Sequence, residues 1–317
     1  SCMMIFNLEE IKKAQKHISV LVEELKSGYV KYSTGQTTVP PVGHLDFENP
    51  TGNTFIKFGH VHGDPSFVIK LFTGFPGNAK LGLPTSDGMN IVFDRETGMT
   101  KAILLDKGWL TSFRTAAASV LCAQYLAPSK ITAMGLMGTG TLARTTLEAS
   151  LQCLDIKKVV VYGYTKESTD AFVADFKAKG VDIEAVYSAA ELCRKCNYIV
   201  TATNTKTPLI TADMVKPGTH ITAMGADGDN KNEVASSVFA KADIIVNDSV
   251  SQCEVDGDTS FAIRDGVITA DSPVELGLLI KDDIKRANDE QITLVDLTGI
   301  AVQDIIVAEM VCDCLLK

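Results

Sequence analysis

Between Leu8 and Leu25 the apolar residues Ile11, Ala14, Ile18, Leu21, Val22 and Leu25 recur at three- and four-residue intervals, which places them on one stripe of a helix. Asn7, with Glu10 three positions on, supplies a capping box at its start. One N-terminal amphipathic helix is therefore predicted. After a Pro/Gly-containing loop around Pro40 to Gly52, four runs rich in β-branched and aromatic residues read as strands: Phe55–Val61, Phe67–Thr73, Met89–Asp94 and Lys101–Asp106. Connections as short as Arg95-Glu96-Thr97-Gly98 predict an antiparallel meander.

From Leu110 the pattern changes to small and apolar residues, Thr115-Ala116-Ala117-Ala118-Ser119-Val120-Leu121, as expected of a tightly packed helix entering a new domain. Strands and helices then alternate. Strands are predicted at Ile131–Met137, Val159–Tyr162, Tyr198–Thr203, His220–Met224 and Ile244–Asn247, with helices from about Ala143 and from Ser168. Such alternation marks a parallel sheet with crossover helices. The segment Val302–Leu316 is helical again. The predicted fold class is α/β: a Rossmann-type parallel-sheet domain over 119–299, and an α+β domain built from 1–118 with the C-terminal helix in 300–317.

Composition narrows the function classes. A net charge of −9 without a Lys/Arg cluster argues against a nucleic-acid partner, because binding a phosphate backbone needs concentrated positive charge. No apolar run approaches the roughly 20 residues needed to cross a bilayer, so no membrane role and a cytoplasmic location are expected. The eight cysteines, at 2, 122, 153, 193, 196, 253, 312 and 314, lack the spacing of a disulfide scaffold and read as reduced thiols. Cys193 and Cys196 have CxxC spacing but no second pair, and His60 and His62 have no evident third ligand. No metal is expected.

The stretch Ile131-Thr-Ala-Met-Gly-Leu-Met-Gly138-Thr139-Gly140-Thr141-Leu142-Ala143 puts GxGxxA directly after a strand and at the start of a helix. That context makes it a dinucleotide fingerprint for NAD or NADP. Gly138 permits the tight turn, Gly140 lets backbone N–H groups approach a pyrophosphate, and Ala143 keeps the helix close to its strand. The end of the second strand, where a carboxylate would accept a ribose 2′-hydroxyl, reads Tyr162-Gly163-Tyr164-Thr165-Lys166. Tyr164, Thr165 and Lys166 suit a 2′-phosphate, or Lys166 is a solvated helix-start residue; NAD and NADP both stay open. Thr203, Asn204 and Thr205, with Met224 and Gly225 at the next strand, lie at the sheet edge expected to receive the cofactor.

Several further segments act together: Val68-Ile-Lys70-Leu, Gly82-Leu-Pro-Thr-Ser-Asp-Gly88, Leu110-Thr-Ser-Phe-Arg114-Thr-Ala-Ala117, Gly225-Ala-Asp227 and Asp296-Leu-Thr-Gly299. In order and spacing they resemble the ornithine cyclodeaminase/μ-crystallin family over nearly the whole chain. That family includes ornithine cyclodeaminase, certain alanine dehydrogenases and ketimine and cyclic-imine reductases. The resemblance implies a homodimer acting by hydride transfer on a small α-amino or α-imino acid. It also implies Lys70 as the active-site lysine, Arg114 as the carboxylate-binding arginine and Asp227 as the catalytic aspartate. A crystallin-like ligand-binding protein with little turnover is the alternative.

The residues themselves speak with different force. Lys70, alternating with Val68 on a strand, is free to face water. Arg114 in an apolar small-residue stretch needs a partner. Asp227 is placed where ligands collect at a Rossmann sheet edge or where an Asp caps a loop. Many family members carry another carboxylate-binding arginine early in the chain, whereas no arginine precedes Arg95 here. Lys57, His44 and the His60/His62 loop are the candidates to replace it. Leu142 stands where the family usually has glutamine.

Overall fold

The four runs predicted between residues 55 and 106 do form a meander, and the computed structural model, which describes residues 4–228 and 230–317, shows which of its faces is buried. The first of two compact units comprises residues 1–114 and 300–317. It contains β1 (Met4–Phe6), α1 (Leu8–Ala14), α2 (Ile18–Ser33), β2 (Thr37–Thr38), β3 (Gly43–Glu48), β4 (Thr51–Val61), β5 (Ser66–Gly74), β6 (Ser86–Asp94) and β7 (Thr100–Leu104). Among the described residues the strands form one sheet in the order β1-β7-β6-β5-β4-β2, with β3 also paired to β4. All pairings are antiparallel except β1 with β7.

Two elements differ from those the sequence pattern predicts. The N-terminal helix is broken at Gln15, whose backbone is extended, and restarts where His17 Nδ1 accepts from Ser19 N–H. The apolar stripe continues through both pieces, because Ile11, Ile18, Leu21 and Leu25 are all buried. The segment expected as loop at 40–52 contains β3, whose alternation went unread because Leu45 and Phe47 are exposed along with the polar residues between them.

The last helix, which we number α11 (Ala301–Leu315), lies on β4, β5 and β6 and against α2. Its sequence is apolar nearly all round, the pattern of a helix buried on most sides. Gly28 of α2 makes the close approach possible: a Cβ there would lie 2.2 Å from Ile306 Cδ1. Under the helix, the buried face of the sheet carries Phe55, Val61, Val68, Val92 and Leu104. It also carries three polar residues in one row, because Lys57 pairs with Lys70 and Lys70 with Asn90 across the ladder. Residues opposite one another in adjacent strands share a face.

The second unit spans 115–299, and the chain enters it along α3 (Trp109–Leu126). It holds β8 (Met134–Met137), α4 (Thr141–Cys153), β9 (Val159–Tyr162), α5 (Lys166–Ala178), β10 (Ile183–Ala185), α6 (Ala189–Lys195), β11 (Tyr198–Thr201) and β12 (His220–Ala223). There follow α7 (Ser236–Lys241), β13 (Ile244–Asn247), α8 (Val250–Asp256), α9 (Asp258–Arg264), β14 (Val274–Glu275), α10 (Leu276–Lys281) and β15 (Thr293–Asp296). These strands are all parallel, in the order β10-β9-β8-β11-β12-β15-β13-β14. The chain leaves β8 toward β9 on one side and returns to β11 on the other, so the β8/β11 boundary is the switch point where such sheets bind ligands. Cys193 and Cys196 pack in its core, where burial pushes both thiols up to about 12. Cys2 lies outside the described residues; the other seven thiols are unpaired.

Candidate functional site

In the second unit, Gly138 follows β8 with φ +115°, and its N–H donates to Tyr162 O. A Cβ at this position would sit 2.4 Å from Ala202 O, so both the backbone conformation and the neighbouring strand end require glycine. Gly140 is the N-cap of α4 and supplies no side-chain cap, while Ala143 is fully buried against the sheet. Thr139 and Leu142 are half-buried and Gly140 and Thr141 exposed, leaving the helix N-terminus open to an anion. The arrangement fits a pyrophosphate on the α4 N-terminus.

At the end of β9, Tyr164 is fully exposed. Thr165 Oγ1 accepts from Ser168 N–H at the start of α5, and Lys166 Nζ pairs with Asp170 at 2.7 Å. Asp170 also accepts from Tyr187 Oη at 2.6 Å. Lys166 is thus a helix-start residue held by a carboxylate one turn on, at an exposed position that a phosphate can also reach.

The loops after β11 and β12 are tied by a residue the sequence reading missed. Glu233 is fully buried and accepts from Thr201 Oγ1, Thr203 N–H, Thr203 Oγ1 and Gly225 N–H at 2.6–2.8 Å. One carboxylate therefore holds Thr203, Thr205 through Thr203 Oγ1, and Gly225, three of the positions predicted to receive the cofactor. Asp258 in turn accepts from Glu233 N–H and Asn232 Nδ2. Burial pushes the carboxyls of Glu233, Asp258 and Asp296 up, that of Asp296 to about 7. Asp227, half-buried after β12, pairs with Lys231 at 3.0 Å.

The first unit holds the charged constellation. Lys70 lies on the buried side of β5, so the solvent-facing alternative for it is excluded. Arg114, in the part of α3 that belongs to this unit, is also buried. Both reach Asp304 on α11: Lys70 Nζ is 3.0 Å and Arg114 Nε 2.9 Å from the same Oδ1, and Arg114 Nη2 donates to Oδ2 at 3.4 Å. Gln303 accepts from Arg114 Nη1 at 3.4 Å and donates to its backbone carbonyl, so the guanidinium plane is fixed from two sides. Asp106 accepts from Leu110 N–H at 2.9 Å and from Asn90 Nδ2 at 3.5 Å.

Burial, and then the charge of Arg114, pull the Lys70 ammonium from 10.5 down to about 7, with Asp304 opposing them. Burial alone would raise the Asp304 carboxyl, but Arg114 and Lys70 outweigh it and hold the carboxyl below its ordinary value. Asp304 is therefore an anion, and it orients the Arg114 and Lys70 side chains before any ligand arrives. Asp304 and Gln303 were missed, although a buried Arg114 called for a carboxylate partner. Of the candidates for the missing arginine, Lys57 stands beside Lys70 in the ladder. His44 is on exposed β3, and His60 and His62 engage Asp64 O and Thr38 Oγ1.

The chain is similar to known proteins over nearly its whole length. The profile of the ornithine cyclodeaminase/mu-crystallin family matches residues 3–317. An alanine dehydrogenase of Archaeoglobus fulgidus is 36% identical over 284 residues, covering 88% of this chain and 85% of its own. Among solved structures, an archaeal alanine dehydrogenase dimer with bound NAD superposes with a TM-score of 0.90 at 31% identity, covering 99% of this chain and 96% of its own. The Thermococcus litoralis Δ1-pyrroline-2-carboxylate reductase in complex with NADH and L-proline gives 0.92 at 26% identity, covering 98% and 97%.

Proposed function

The chain belongs to the ornithine cyclodeaminase/mu-crystallin family, and from that premise we propose that Arg114 and Lys70 hold the carboxylate of its substrate. The protein is an NAD(P)-dependent enzyme acting on an α-amino or α-imino acid. The observation that carries the assignment of Arg114 and Lys70 is their convergence on one carboxylate oxygen, each within 3.0 Å of Asp304 Oδ1. A guanidinium with five N–H donors and an ammonium with three, meeting at one point, supply the donors that a carboxylate accepts.

The backbone after β8, with Gly138, Gly140 and Ala143, holds the dinucleotide, and Glu233 keeps the Thr203 and Gly225 loops in place around it. When bound, the nicotinamide supplies or accepts the hydride. Arg114, its planar guanidinium oriented by Asp304 and Gln303, receives the substrate carboxylate as a fork, which lysine does not reproduce. Lys70 adds a point charge. Asp227 balances the charge of an iminium nitrogen or exchanges its proton. The same reading extends to a homodimer in the cytoplasm, supported by the dimer described for the archaeal relative and by the unpaired thiols.

Incubation with NADH or NADPH and either a preformed cyclic imine carboxylate or 2-oxo acids plus ammonia tests this function. Oxidation of the cofactor is expected, and binding without turnover refutes it. Arg114→Lys should lower kcat/KM about 10- to 100-fold, the worth of a lost charge-assisted fork, with cofactor affinity unchanged. Unchanged kinetics would remove Arg114 from the site.

A further inference from the structure

In a Rossmann unit selective for NAD, the carboxylate that accepts from the ribose 2′-hydroxyl stands at the end of the second strand, about 20 residues after the glycine fingerprint. Gly163 holds that place here, directly after β9 and 20 residues after Ala143. Its N–H donates to Thr169 Oγ1 at 3.1 Å, and that hydroxyl donates in turn to Thr165 O at 2.7 Å. A Cβ at Gly163 would lie 2.7 Å from Thr139 Cγ2 and 2.8 Å from Thr169 Oγ1, against about 3.5–4.0 Å for carbon atoms in ordinary contact. Thr169 is buried with both of its bonds made, so it has nowhere to turn. Thr139 stands in the turn between Gly138 and Gly140, and its β-branch presents a second atom, Oγ1, at 3.3 Å. The place of the carboxylate is therefore closed by packing. The cations in the first turns of the adjoining helices are matched already: Lys166 Nζ lies 2.7 Å from Asp170, and Arg144 Nη2 lies 2.9 Å from Asp175. Tyr164, Thr165 and Lys166 are exposed, which leaves room for a 2′-phosphate.

We propose that Thr139 and Thr169, by filling the space that a side chain at 163 would need, make the enzyme accept NAD and NADP alike. The proposal rests on the reading that the backbone after β8 holds the dinucleotide. A carboxylate at 163 would favour NAD twice over, by accepting from the 2′-hydroxyl and by repelling the 2′-phosphate. Packing shuts it out. A cation given wholly to the 2′-phosphate would favour NADP, but Lys166 is shared with Asp170, and Asp170 is fixed in turn by Tyr187 Oη at 2.6 Å. The two nucleotides should therefore bind within about tenfold of each other.

Fluorescence titration of the purified protein with NADH and with NADPH, at one ionic strength, reads both dissociation constants without turnover. A ratio beyond tenfold in either direction overturns the inference. Gly163→Asp alone should melt below the parent and weaken both nucleotides, because its Cβ displaces Thr139 in the turn that receives the pyrophosphate. With room made by Thr139→Ala and Thr169→Ala, Gly163→Asp should favour NADH over NADPH by about tenfold or more, whereas the two alanines without the aspartate should keep the parent's ratio. Gly163→Asp alone selecting NADH while melting like the parent would show that the space is open, and overturns the inference. So does a folded triple variant that binds the two nucleotides in the parent's ratio. Binding of neither nucleotide by the parent overturns the dinucleotide reading as well.

Discussion

Replacing Asp304 with asparagine keeps the shape of the side chain and removes the anion shared by Lys70 and Arg114. At 3.0 and 2.9 Å, and with an effective dielectric constant near 20, each pair is worth about 5 kcal/mol in Coulomb energy. The desolvation of all three groups opposes this; the Lys70 ammonium, which stays near 7 despite its partner, shows how strongly. The net worth of the triad is therefore small, but removing one member leaves cations buried without their anion, a loss of about 3–5 kcal/mol in comparable cases. Asparagine still accepts one bond from Arg114, so about 3 kcal/mol is expected, or a Tm drop of roughly 10 °C.

The loss should also depend on pH in a defined direction. Without Asp304, the Lys70 ammonium is destabilised further and sheds its proton below about 7. At pH 6 the variant forfeits both pairings, whereas at pH 9 Lys70 is already neutral in the parent and only the Arg114 pairing is lost. Urea denaturation followed by circular dichroism at the two pH values reads this difference, and Lys70→Met should reduce the effect of Asp304→Asn at pH 6 by more than 1 kcal/mol. A variant within 0.5 kcal/mol of the parent at pH 6, or an equal loss at both pH values, would refute the reasoning.

Two further outcomes follow from the geometry. Gly138→Ala meets Ala202 O and a positive φ at once, so it should destabilise the Rossmann unit by about 1–3 kcal/mol and abolish NADH binding, read by nucleotide fluorescence titration; full affinity would dissociate the turn from the cofactor. Because the folded Lys70 ammonium lies near 7 rather than 10.5, kcat/KM for reduction of a preformed cyclic imine carboxylate should be level below that pH and fall tenfold per unit above it. Constancy up to pH 9 would mean that the charge of Lys70 is not used in binding.

The dinucleotide half was legible because its signal is local: Gly138, Gly140 and Ala143 fall between a buried apolar strand and a helix, and Val159–Tyr162 and Ile244–Asn247 match the strands found. The short helices α6 to α10 were not, since six or seven residues scarcely complete an apolar period. The buried side of β5 was ambiguous for a related reason. Phe67-Val68-Ile69-Lys70-Leu71 is apolar on both faces apart from one lysine, so alternation alone does not say which side is covered. Asp304 escaped notice because an acid in the first turn of a helix has an ordinary electrostatic explanation. Its pairing with Lys70, 234 positions away, is set by the packing of α11 on the sheet.

That packing also imposes an order on synthesis. The sheet that carries Lys70 and the helix turn that carries Arg114 leave the ribosome before residue 115, but their anion is 190 residues behind Arg114, about 10–40 s at ordinary translation rates. By the end of that interval the Rossmann unit has been made, while the first unit still lacks the helix that covers its sheet and the carboxylate that Lys70 and Arg114 share. The portion of the enzyme made first is thus the last to be covered, and it is through this sheet that a chain interrupted before α11 is exposed to chaperones and to aggregation.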